Sequence, residues 1–210
     1  MALGALQRFD RICDKLSRRE EPIKPIKMLT KRRTVLRSAA GMVLAWMTPV
    51  RLAAQDTRAS RPEAGDLLVS TGDTTLTPLT PDDIPVDAEP TIAWCMTPKD
   101  HVVRNGSRLN RVLLLRLDPD TIGEATRANS ANGVVAYSAI CTHSGCDVGS
   151  WLPDEQVLYC ECHESKFDPR DAARVADGPA PRSLPALPLK LVDGRLVVAG
   201  PFTSRVGFEA

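Results

Sequence analysis

Two hexapeptides, CTHSGC at Cys141–Cys146 and CECHES at Cys160–Ser165, each set thiols and an imidazole within six residues. Together they read C-x-H-x16-C-x2-H through Cys141, His143, Cys160 and His163, with Cys146 and Cys162 left over, one in each stretch. Two thiolates and two imidazoles suffice for one tetrahedral zinc. Zinc, however, leaves the extra cysteine of each stretch without a task. A two-iron, two-sulfide cluster accounts for more of the pattern. Its irons are chemically distinct, so two cysteines can serve one and two histidines the other. The remaining cysteines can then bridge the two stretches in an oxidising compartment.

The paired motif CTHSGC … CECHES resembles the Rieske iron–sulfur protein family, in its disulfide-bearing branch, over about residues 130–190. The resemblance implies one [2Fe-2S] cluster, with Cys141 and Cys160 on the inner iron and His143 and His163 on the outer one. It also implies a Cys146–Cys162 disulfide between the loops. Gly178-Pro179-Ala180-Pro181 resembles the family's proline loop, which covers the cluster from a third side. In high-potential members a serine and a tyrosine after the second histidine donate hydrogen bonds to the cluster. Here Ser165 matches the serine, Phe167 stands in place of the tyrosine, and Glu164 replaces a loop glycine. Rieske potentials span roughly −150 to +300 mV, and losing a donor or adding negative charge lowers the value. The expected potential is therefore below that of a typical ubiquinol-oxidising member. The second ring nitrogens of His143 and His163 are expected at the domain tip, where electron transfer can couple to proton transfer.

The resemblance leaves two functional settings and excludes a third. One is the Rieske subunit of a cytochrome bc-type ubiquinol–cytochrome c reductase, favoured by the disulfide and the proline loop. Phe167 and the polar Ser144, where most quinol-oxidising members have leucine, weigh against it. The other is the small subunit of a periplasmic oxidoreductase, for which an arsenite-oxidase-like enzyme is the nearest type. Both make the chain a redox subunit with no substrate site of its own, working with a partner subunit and a cytochrome. An acidic body suits docking to a basic cytochrome. A Rieske oxygenase needs a further iron held by two histidines and a carboxylate. The chain has 3 histidines, and only His101 is left over.

The elements that must position these residues read as short strands. Apolar runs at Leu67–Val69, Val102–Arg104, Leu109–Leu117, Val134–Ile140, Val157–Cys160, Leu187–Val192 and Leu196–Ala199 are separated by turn signals. Asn105-Gly106 and Asp193-Gly194 are good tight-hairpin formers. The 17 prolines also favour loops and strands over long helices. Residues 118–132 are polar enough for one short helix on a surface insertion. The expected class is all-β, a Rieske-type fold of small antiparallel sheets with a cluster-binding subdomain inserted in a base β-barrel or sandwich. Residues 65–210 form that domain, its cluster-binding part lies at about 138–182, and residues 56–64 are a linker. Cys95 reads as a buried small apolar residue, His101 as a surface histidine, and Trp94 and Trp151 as packing, with Trp151 close enough to shield the first loop.

Residues 1–55 are a basic leader. Eleven Lys and Arg face four acids in residues 1–37, whereas the remainder of the chain is acidic. That asymmetry argues against nucleic-acid binding and suits a targeting segment on an exported domain. Arg32 and Arg33, followed by Val35, Leu36 and an apolar run from Ser38 to Val50, resemble a twin-arginine signal. This route carries folded cargo, as a domain that acquires its cluster in the cytoplasm requires. The 13-residue run is short against the roughly 20 needed to span a bilayer. Leu52-Ala53-Ala54 is a weak cleavage site, so a cleaved signal and a membrane anchor over residues 38–54 both stand. Met28 offers an alternative start. The expected location is the periplasm or the periplasmic face of the inner membrane.

Overall fold

In the computed structural model, residues 57–208 are described; Arg32, Arg33, Met28 and the apolar run 38–54 lie outside the described residues. The described chain forms strands β1 (Leu67–Ser70), β2 (Thr91–Met96), β3 (Val112–Arg116), β4 (Val134–Ser138), β5 (Ser150–Leu152), β6 (Val157–Cys160), β7 (Ser165–Asp168), β8 (Arg174–Asp177), β9 (Leu189–Val192) and β10 (Arg195–Val198). One short helix, α1 (Glu124–Arg127), lies between β3 and β4.

The strands divide into a six-stranded sheet, β4-β3-β2-β1-β10-β9, and a four-stranded sheet, β5-β6-β7-β8, with every pairing antiparallel. The smaller sheet is an insertion between β4 and β9, as expected. Period-two alternation assigns each face of the larger sheet to a different core. Val112, Leu114, Val134 and Ala136 pack with Leu68, Cys95, Leu187 and Leu196. Their neighbours Leu113, Leu115, Val135 and Tyr137 face the other way, against Trp151, Leu158, Phe167 and Leu184 of the inserted part. The unbroken apolar run of β3 thus reflects burial on both faces, which a central strand between two packed layers requires. The sheet curls, because residues 185–187 bond to the outer edge of β4. Ser138 N–H donates to Pro185 O and Leu187 N–H to Ala136 O, each at 2.9 Å.

Several local expectations are corrected. Val102–Arg104 is no strand beyond a single bridge from Val103 to Met96. The segment lies along the end of β2 that β3, paired only with Thr91–Ala93, leaves open. Arg104 N–H donates to Cys95 O at 2.8 Å, and the Arg104 side chain turns inward to a buried ion pair with Asp66 at 2.6 Å. Asn105-Gly106 makes no hairpin; the Gly106 N–H donates instead to Arg58 O at 2.9 Å. Asp193-Gly194 does join β9 to β10, with both residues at positive φ as the tight turn needs. Strand β9 begins only at Leu189, since Leu187 is spent on β4. The stretch 118–132 is more than a surface insertion. Ile122 enters the core beside the inserted sheet, and Thr126 fastens α1 to the β7–β8 turn by accepting from Ala172 N–H at 2.7 Å and donating to Arg170 O at 2.8 Å. Strands β2, β5, β7 and β8 were not anticipated.

Candidate metal centre

Cys141 lies three residues past the end of β4 and Cys160 ends β6, and both cysteines are packed in the same core. Both loops then close in the same way. Gly145 N–H donates to Cys141 O at 3.1 Å, and Glu164 N–H to Cys160 O at 2.9 Å. The residue four places after each cysteine therefore adopts a left-handed backbone, φ 78° at Gly145 and 62° at Glu164. Glycine takes that conformation without a Cβ clash; glutamate takes it at a cost. Glu164 thus fills the position that glycine holds in the first loop, and its side chain is exposed.

Cys141 and Cys160 are each 1% exposed. Burial pushes the Cys160 thiol up to about 11, against backbone N–H groups of Cys162 and His163 that favour the thiolate, with the Cys141 thiol as a hydrogen-bonding neighbour. The two imidazoles form a second pair nearer the surface, ring centroids 4.7 Å apart and planes at 87°. His143 is half-buried and His163 exposed. The four donors lie as a thiol pair inside and a ring pair outside. Among the described residues, no three His, Cys, Asp or Glu side chains are grouped to hold a single ion. Cys146 and Cys162 are joined by a disulfide, which ties one loop to the other.

Two atoms test the fit of a metal group. His143 Nδ1 and Ser165 Oγ are buried and have no hydrogen-bond partner in the protein. Burying a polar group unpaired costs about 1–3 kcal/mol, so a protein keeps such atoms where another species satisfies them. An imidazole nitrogen suits an iron, and a hydroxyl suits a donor to sulfide. The residues present fit a [2Fe-2S] cluster. Trp151 Nε1 is likewise buried and unpartnered, and the ring packs in the core that holds Cys141 and Cys160. Phe167 lies in that core at 0% exposure.

The stretch Gly178–Pro181 packs against the second loop. Gly178, at φ 86°, packs so tightly that a β-carbon there would lie 2.7 Å from Glu164 O. Ala180 is buried in the same core, while Pro179 and Pro181 are exposed. Thr142, which sequence reasoning missed, donates from Oγ1 to Arg182 O at 2.6 Å and so fastens the first loop to the proline loop. Only its place between two anticipated ligands could have marked it. His101 is exposed and Cys95 buried, as anticipated.

The family model for the Rieske [2Fe-2S] domain matches residues 113–188, spanning β3 to the proline loop. The cytochrome bc1 complex Rieske iron-sulfur subunit of Streptomyces lividans is 36% identical over 149 residues, covering 68% of this chain and 85% of that protein. The subunit of the same name from Streptomyces coelicolor is also 36% identical over 149 residues, but this chain spans only 41% of its length. A Rieske subunit attributed to a respiratory nitrate reductase of Haloferax mediterranei is 39% identical over 106 residues, covering 50% of this chain and 47% of that protein. With two disulfide-tied loops, a buried thiol pair and a surface imidazole pair already in place, these likenesses converge: the chain belongs to the Rieske [2Fe-2S] iron–sulfur protein family.

Proposed function

We propose that Cys141 and Cys160 hold one iron of the cluster and His143 and His163 the other, and that the chain relays single electrons between a partner oxidoreductase and a cytochrome. What carries this reading is the sorting of donors by depth, thiols inside and rings outside. A bound [2Fe-2S] cluster supplies a one-electron store whose reduced form is more negative by one charge. The chain's own groups prepare for that charge. Backbone N–H groups of residues 162 and 163 favour negative sulfur at Cys160, and the Ser165 hydroxyl is free to donate. Each imidazole, bound through one nitrogen, keeps its second nitrogen for a proton, and the exposure of His163 puts that atom within a partner's reach.

The favoured partner is a bc-type quinol-oxidising complex at the periplasmic face of the inner membrane, in line with the bc1 subunits among its relatives. Residues 38–54 would be the anchor and Arg32-Arg33 the export signal; among the described residues, no helix is long and apolar enough to cross a membrane. A second reading, a small subunit of an arsenite-oxidase-like periplasmic enzyme, is favoured by Phe167 and by the left-handed Glu164. Purification of the full chain from native membranes separates the two. A co-purifying b-type haem supports the first, and a large molybdenum-containing subunit supports the second. Stoichiometric zinc without acid-labile sulfide would overturn the cluster assignment itself.

A further inference from the structure

We infer that the C-terminal tail, through Phe208, positions the first cluster loop. The inference rests on the cluster assignment proposed above. A β-carbon on Gly145 would lie 2.9 Å from Cδ1 and 3.3 Å from Cε1 of Phe208. The ring therefore occupies the space that the missing side chain leaves, directly over the residue whose N–H closes the Cys141 turn. From the same loop residue, the Gly145 carbonyl accepts from Arg108 Nη2 at 2.7 Å. One residue before Phe208, the Gly207 carbonyl accepts from Arg182 Nη2 at 2.5 Å. Arg182 in turn accepts at its own carbonyl from Thr142. The contacts make a closed circuit: first loop to proline loop, proline loop to tail, and tail back to the first loop. Phe208 remains 47% exposed, so one side of the ring meets the loop and the other meets water. It acts through Gly145, as a positioning residue.

The full-length protein is compared with Phe208→Ala, Phe208→Leu and a control, Phe202→Ala, whose ring packs half-buried against the other core. Three quantities are read: thermal stability, the rate at which visible absorbance is lost in air, and the rate at which a thiol reagent labels Cys141 in metal-free protein. Local opening of the first loop should rise by about three- to tenfold in Phe208→Ala, as expected for losing a partly buried ring, and both rates should follow. Phe208→Leu should recover most of the loss. Phe202→Ala should lower thermal stability without changing either rate. Equal rates in Phe208→Ala and the parent, or an equal acceleration in Phe202→Ala, would overturn the inference. Should the parent contain no iron or sulfide, the cluster assignment fails, while Cys141 labelling still reports whether Phe208 holds the loop. If Phe208→Ala does not accumulate as folded protein, a chain ending at Gly207 provides the same comparison.

Discussion

A β-carbon placed on Gly178 would stand 2.6 Å from the Cα of Ser165, so the proline loop meets the second cluster loop backbone to backbone. No side chain can enter that gap unless the two loops separate. The left-handed φ of 86° adds a second obstacle, independent of space. Gly178→Ala is expected to cost roughly 2–4 kcal/mol, through overpacking and strain together. It should also shorten cluster lifetime if the loop that lifts covers the cluster, as the resemblance implies. Thermal unfolding and the decay of visible absorbance would read both effects. An unchanged lifetime would show that the proline loop is not a lid over this centre.

Ser165 and Phe167 sit on β7 with alternate spacing, both fully buried. The Ser165 hydroxyl has no partner in the protein, so its removal breaks no protein–protein hydrogen bond. Ser165→Ala should therefore lower the reduction potential by roughly 65–130 mV, the worth of one hydrogen bond to a charged acceptor in a one-electron couple. Stability of the metal-free protein should barely move. Phe167→Tyr should shift the potential upward by a similar amount, since it restores a donor. Protein-film voltammetry would decide both, and a downward shift in Phe167→Tyr would refute the tuning argument.

The Cys146–Cys162 disulfide joins residues 16 apart in sequence. Closing a loop of that length is worth about 3 kcal/mol in the chain-entropy account, or roughly 6–12 °C of thermal stability for a protein of this size. The double variant Cys146→Ser/Cys162→Ser should show that loss in calorimetry. It should also be indifferent to a phosphine reductant that destabilises the parent.

The Cys146–Cys162 cross-link and the thiol and imidazole pairs proposed as ligands were legible in the sequence because ligation and cross-linking tolerate few residue types. The geometry beneath them was less so. Glu164 read as a charge that replaces glycine, whereas the structure places it in the same left-handed turn position as Gly145. A backbone requirement of this kind leaves a mark only when glycine meets it. Strand β8 was missed because its residues are mostly exposed and carry no apolar alternation. Val102–Arg104 misled for the opposite reason: its apolar residues look like a strand, but a buried ion pair sets the path of that segment. Thr142 and Phe208 act through contacts 40 or more residues away in the chain, Thr142 with Arg182 and Phe208 with Gly145. No local pattern encodes such contacts.

The last test concerns pH. Asp147 follows the disulfide cysteine of the first loop and lies between two guanidinium groups, 2.9 Å from Arg108 and 2.7 Å from Arg111. Partial burial pushes its pKa up, but the hydrogen bonds and charges of the two arginines outweigh that and hold it below its ordinary value of 3.8. A carboxylate whose pKa is depressed by folding stabilises the fold above its unfolded value and loses that contribution as pH falls through the folded one. Because the side chain is half-exposed, solvent screening limits the contribution to under about 1 kcal/mol. Asp147→Asn should therefore melt below the parent at neutral pH and low salt, by no more than roughly 2–4 °C. The gap should close as the pH drops below 3.8, and it should narrow in high salt. The quantity to follow is the difference between the two proteins, in which the effects of acid elsewhere in the fold cancel. A gap that persists unchanged into acid would mean that Asp147 contributes by packing, and that charge does not hold Arg108 against the first loop.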